Sequence, residues 1–131
     1  MVASLTNELG NIMTNNINIG LNGERLVINY LKKEGYSILE NNWRFIHKEI
    51  DIIALKSNIL CIVEVKSRSS DYTSPKDAVT MKKQKNLITA ANQYIVQKGL
   101  DYDVRFDVAE VFFSDKSFKI NYIEDAFVPL I

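Results

Sequence analysis

Residues 49–66, EIDIIALKSNILCIVEVK, are two apolar runs parted by Lys56, Ser57 and Asn58, with Asp51, Glu64 and Lys66 set into them. Short runs dense in β-branched residues and separated by turn residues fold as a β-hairpin. With a two-residue turn at Ser57 and Asn58, Lys56 faces Ile59 and, counting back, Asp51 faces Glu64. Side chains alternate along a strand. One face therefore carries Asp51, Ile53, Leu55, Leu60, Ile62, Glu64 and Lys66, and the other Ile50, Ile52, Ala54, Cys61, Val63 and Val65. A hairpin apolar on both faces belongs in the middle of a covered sheet, which leaves one charged corner beside the core.

Two carboxylates opposed across a strand pair have Cβ atoms about 5 Å apart and repel. Positive charge is expected between them. Lys66 on the same face would serve, as would a hard divalent cation held by carboxylate oxygens, which leaves Lys66 to address a water or a phosphate. A plain ion cluster at a strand end is the alternative.

The flanking sequence supplies the rest of an α/β domain. Val27, Ile28 and Leu31 repeat at helical spacing, with Asn22 as a cap and Gly35 as a stop, and predict a helix over residues 23–34. Glu24 lies on that stripe and points toward the sheet, unless it serves as a first-turn acid that complements the helix dipole. Residues 36–45 read as a strand interrupted by Asn41 and Asn42. After the hairpin and a polar loop, Ser74, Pro75 and Asp77 predict the start of a second helix that runs to Lys98, before a stop at Gly99, with Leu87, Ile88, Ala91, Tyr94 and Ile95 inward. DVRFDVAEVFF, which sets Val104, Phe106 and Val108 against Arg105, Asp107 and Ala109, and FKINYI read as two further strands. The order α, three β, α, two β implies a central mixed sheet flanked by helices, the second helix being a crossover. Residues 1–19 are Asn-rich without a sustained period and are expected as a poorly ordered or helical arm, leaving 20–131 as a single domain.

Composition excludes more than it selects. No apolar run approaches the roughly 20 residues that a bilayer needs, so no membrane span is expected. The start of the chain lacks a secretory pattern and Cys61 is the only cysteine, so a cytoplasmic setting is expected and an internal disulfide is not. Sixteen basic and sixteen acidic residues cancel, so any nucleic-acid partner must be met locally. Local candidates exist. Lys82, Lys83, Gln84 and Lys85 open the second helix as nucleic-acid candidates, Gln84 on the inward stripe from which it could reach the site, and the alternative for the lysines is a solvated helix face. Arg44 and Arg68 are further phosphate candidates, or structural partners of acids. His47 is expected in a surface turn, Trp43 and Phe45 in the core more than on bases, and Cys61 as a buried inert thiol. No zinc spacing, phosphate-cradling glycine loop or serine triad is present.

Glu64-Val65-Lys66, preceded by Asp51 on the neighbouring strand and by Glu24 on an N-terminal helix, resembles the site of the PD-(D/E)XK nuclease superfamily, whose restriction-endonuclease-like core is αβββαβ. More closely, the segments GLNGERLVINYLKKEGYSILENNWR, EIDIIA, IVEVKSR, KKQKNLITAANQYI and VRFDVAEV resemble the YraN family. These are small bacterial proteins of unestablished function, placed in that superfamily and similar to archaeal Holliday junction resolvases. The resemblance implies that Asp51 and Glu64 bind metal together with the Val65 carbonyl, that Glu24 adds a ligand directly or through water, and that Lys66 orients or activates the attacking water. It implies Mg²⁺ as cofactor, with Mn²⁺ able to substitute, and DNA as substrate, with branched or damaged forms among the candidates. A homodimer would be the simplest device for cutting two strands symmetrically. Ile50 stands where the superfamily name expects proline, and the lead before Gly20 is longer than expected. Besides a nuclease, two readings stay open: a noncatalytic nucleic-acid-binding module with this fold, and a structural protein with an ion cluster.

Overall fold

A computed structural model describes residues 2–4, 19–69 and 79–128. Its elements are β1 (Val2–Ser4), α1 (Ile19–Lys33), β2 (Ser37–Phe45), β3 (Lys48–Lys56), β4 (Ile59–Ser69), α2 (Met81–Lys98), β5 (Asp103–Phe113) and β6 (Ser117–Ile123). They form one six-stranded sheet in the order β1-β6-β5-β4-β3-β2. β4 and β5 pair in parallel through the α2 crossover, and the other neighbours are antiparallel. This is the α/β, restriction-endonuclease-like αβββαβ arrangement expected above. Val2–Ser4, within the expected arm, pairs with β6, while residues 5–18 lie outside the described residues. Among the described residues no helix is long and apolar enough to cross a membrane.

The central hairpin has the expected register, with pairs from Lys56↔Ile59 to Ile52↔Val63. Its two faces feed two cores. Ile52, Ala54, Cys61 and Val63 pack with Leu26, Val27 and Leu31 of α1, while Ile53, Leu60 and Ile62 pack with Leu87, Ala90 and Ala91 of α2. Ile50 departs from the expected face and joins the α2 side. The reason is local: the β3–β4 ladder ends at Ile52↔Val63, and freed of that pairing β3 no longer holds strict alternation.

Both helix starts differ from expectation. α1 begins at Ile19, so Asn22 lies inside the helix and is not its cap. Gly23, a poor helix former that mimics a boundary, is needed for close approach: a Cβ there would run into Ser67 Oγ on β4. α2 begins at Met81, not in the Ser74, Pro75 and Asp77 segment, which lies outside the described residues. Its cap is Thr80, whose Oγ1 accepts from Lys83 N at 3.1 Å. The stops hold as expected, with Gly35 at φ 92° and Gly99 at φ 62°, both in the left-handed region.

Candidate metal centre

The site begins where the sheet opens. Beyond Ile52↔Val63, Asp51 pairs with no β4 residue; its Oδ2 instead accepts the Val65 N–H at 2.8 Å. On the other side the β2–β3 ladder passes from Asn41↔Ile52 to Trp43↔Ile50 and leaves Asn42 beside Asp51 with φ 54°. Asparagine tolerates that left-handed conformation better than most residues. Its side chain hydrogen-bonds Glu24. The two residues that looked like a strand interruption thus include a positioning group for the site.

Glu24 reaches in from the second turn of α1, whose first turn holds no acid, so complementing the helix dipole does not account for it. Oxygens of Glu24, Glu49 and Asp51 lie within 4.8 Å of one another. Glu64, 4% exposed, faces Asp51 from β4, and its Oε2 lies 3.6 Å from Lys83 Nζ. Burial, reinforced by the charge of Asp51, pushes the Glu24 carboxyl up to about 7, with a smaller push from Glu49 and with Asn42 opposing. Burial, followed by the charge and hydrogen bond of Asp51, also pushes Glu64 well above the usual carboxylate range, against Lys83 and Lys66. Acids held this way have less countercharge than their burial calls for.

Hydrogen bonding sharpens the contrast. Among the described residues, Glu24 Oε2, Glu64 Oε1 and Ser67 Oγ are buried without a hydrogen-bond partner. Asp107, also fully buried, has Arg105 Nε at 2.9 Å and 3.2 Å from its two oxygens, and further donors in Tyr122 Oη and the Asp125 N–H. Asp107 is what a structural buried acid looks like. Glu24 and Glu64 are not satisfied in that way, and an all-oxygen donor set with orphaned oxygens fits a hard divalent cation.

Of the expected metal and catalytic residues, Glu24 and Asp51 share the cluster with Glu49, while Glu64 stands outside it and meets it through Asp51. Lys66 lies near enough to bias Glu64, and Val65 is tied in through its N–H. The phosphate candidates divide. Lys83 turns to Glu64, and Lys82 and Lys85 are exposed on α2. Gln84 Nε2 donates to Val79 O at 3.0 Å, which anchors the chain entering α2. The Arg68 side chain is 7% exposed and pairs with Glu110 at 3.2 Å. Arg44, 74% exposed, meets Glu49 at 3.0 Å. Sequence reasoning missed Glu49 and Asn42. The first stands two residues from Asp51 in EID, the spacing of one strand face. Trp43 packs edge-on against Tyr94 at 5.1 Å, His47 is exposed in its turn, and burial pushes the Cys61 thiol up to about 12, which makes it inert.

A sequence profile of the uncharacterised protein family UPF0102 matches residues 23–111, a span that takes in every acid of the site. The chain belongs to that family. UPF0102 is the YraN family resembled by the sequence segments above. A UPF0102 protein of Flavobacterium psychrophilum is 50% identical over 116 residues, covering 88% of this chain and 98% of its own. One from Clostridium perfringens is 45% identical over 116 residues, covering 86% and 95%, and one from Alkaliphilus metalliredigens is 50% identical over 111 residues, covering 83% and 96%. These UPF0102 names state membership and no activity.

Proposed function

We propose that this chain is a metal-dependent nuclease that hydrolyses DNA phosphodiester bonds. The observation that carries the reading is the pair of orphaned buried oxygens, on Glu24 and Glu64, that flank Asp51 where the sheet opens. Glu24, Glu49 and Asp51, with Glu64 joining from β4 beside Asp51, would hold Mg²⁺ or Mn²⁺, which when bound supplies charge stabilisation at the phosphate and a more acidic water. The chain's own groups do the rest. The Val65 N–H fixes the orientation of Asp51. Lys83 supplies part of the countercharge that lets Glu64 ionise. Lys66, two residues beyond Glu64 on the same face, orients the attacking water or the scissile phosphate. Arg44, Lys82 and Lys85 are exposed cations for neighbouring phosphates, contacts that position a strand without reading its sequence.

Branched or damaged DNA as the preferred form belongs to this reading through the family resemblance, a cytoplasmic setting through the sequence pattern, and a two-fold pair of chains through the symmetry of cutting two strands. The first test needs no substrate: amide NMR spectra recorded while adding Mn²⁺, for wild type and Asp51→Ala. Broadening centred on Glu24, Asp51 and Glu64 that vanishes in the variant is the expected result, followed by metal-dependent cleavage in a screen of branched, nicked and linear DNA. Localised broadening with DNA binding but no cleavage would favour a noncatalytic binding module. No localised broadening, with or without DNA present, would sink the metal site.

A further inference from the structure

The turn between β2 and β3 is built from Ile46 and His47 and closes the pair Phe45↔Lys48. Ile46 has φ 57°, a left-handed conformation that strongly disfavours a β-branched side chain, and it is 72% exposed. Holding it there carries a strain that glycine or asparagine would avoid. The other turn of β3 provides a control. Ser57 adopts φ 55° at the opposite end of the strand, where a small polar residue fills the same backbone conformation. The conformation does not call for isoleucine. An apolar side chain therefore stands at a strained, exposed tip, with no burial to repay it.

What surrounds the tip identifies what it meets. Arg44, His47 and Lys48 flank Ile46, and the nearest acid along the hairpin is Glu49, which Arg44 engages. This is the end of β3 that carries Glu49 and Asp51. We propose, resting on the nuclease reading above, that Ile46 is a wedge that enters a weakened base step of the DNA whose backbone lies at the metal centre. The cations on either side hold the phosphates while the apolar side chain replaces lost stacking. Isoleucine offers no hydrogen bonds, so it reads an interruption of stacking and not a base sequence. Unstacking costs more in an intact duplex than where stacking is already broken, so nicked or mismatched duplexes are the favoured ligands. Ile46 lies five residues from Asp51. At ~3.3 Å per residue that is ~17 Å, or about five stacked nucleotides between wedge and scissile phosphate.

The test uses the full chain with Asp51→Asn to prevent cutting, with and without Ile46→Gly, and nicked or intact duplexes carrying 2-aminopurine beside the nick. The expected result is a fluorescence rise on binding nicked DNA, lost in the Ile46→Gly chain together with about tenfold of its affinity for the nicked form. Affinity for intact duplex stays the same. Ile46→Leu restores the rise, and the glycine variant melts no lower than its parent, so misfolding does not explain the loss. Equal fluorescence and equal affinity with and without Ile46 would overturn the wedge and leave the nuclease reading standing. A parent chain that binds neither duplex would overturn the wedge, and one that also fails to bind a branched duplex would overturn the nuclease reading with it.

Discussion

Glu24→Gln is expected to stabilise the metal-free protein. A carboxyl whose titration moves from 4.5 to about 7 on folding penalises the folded state above pH 7 by about 3 kcal/mol if none of the effect is screened. Glu24 is partly exposed, and solvent screening reduces this to about 1–2 kcal/mol. Glutamine removes the charge and keeps an amide able to bond Asn42. For a domain of this length the gain corresponds to roughly 4–7 °C in Tm. Thermal unfolding followed by circular dichroism in chelator at pH 8 reads it directly. The sign sets the pH dependence: a raised acid costs stability above its folded value, so the gap should shrink as pH falls below about 7 and vanish below about 4.5, where both states are protonated. Saturating Mn²⁺ should reverse the order, because mass action stabilises the wild type by about 2.7 kcal/mol at a hundredfold excess over Kd. A glutamine variant that melts at or below wild type at pH 8 in chelator would refute the reasoning and mean that Glu24 is held by partners already present in the fold.

Gly23→Ala should lower Tm despite the roughly 1 kcal/mol better helix propensity of alanine, because the new Cβ runs into Ser67 Oγ; adding Ser67→Ala should recover most of the loss in the same melting assay. Asp107→Asn should cost about 3 kcal/mol in denaturant unfolding, since it removes the buried countercharge of the partly buried Arg105 and leaves it only the exposed Glu124. Lys82→Ala with Lys85→Ala should weaken DNA binding evenly across sequences and flatten the salt dependence by about two phosphate contacts in anisotropy titrations.

The parts of this fold that are legible in the sequence are those set by local rules. The hairpin register follows from a two-residue turn and a period of two, which is enough to bring Asp51 and Glu64 to the same end of the strand pair. Glu24 follows from helical spacing. The misses share a physical cause, which is dependence on a partner distant in sequence. Gly23 looks like a helix boundary because its real neighbour, Ser67, lies on β4. Ile50 changes sides because the ladder stops one pair short of Asp51, and Glu49 joins the cluster where Asn42 reshapes β2. Asp107 sits on a face that reads as polar, and its burial depends on Arg105, Tyr122 and the turn at Asp125. Gln84, expected to be able to reach the site, holds the Val79 carbonyl instead.

The single parallel pair in the sheet also sets an order of assembly. Asp51 and Glu64 are joined by a hairpin that closes over two residues, an event of about 1–10 μs for hairpins in general. β5 must come back from Asp103 to meet Ile59 across the α2 crossover before the second side of β4 is paired. Non-local pairing of that kind is slow. The acids therefore meet while still in water, and the cost of burying them falls on the last step of folding. In φ-value terms, Ile53→Val and Ile62→Val should report native contacts in the transition state well ahead of Val108→Ala on β5. A cation present during refolding then finds its ligands already side by side and still open to solvent.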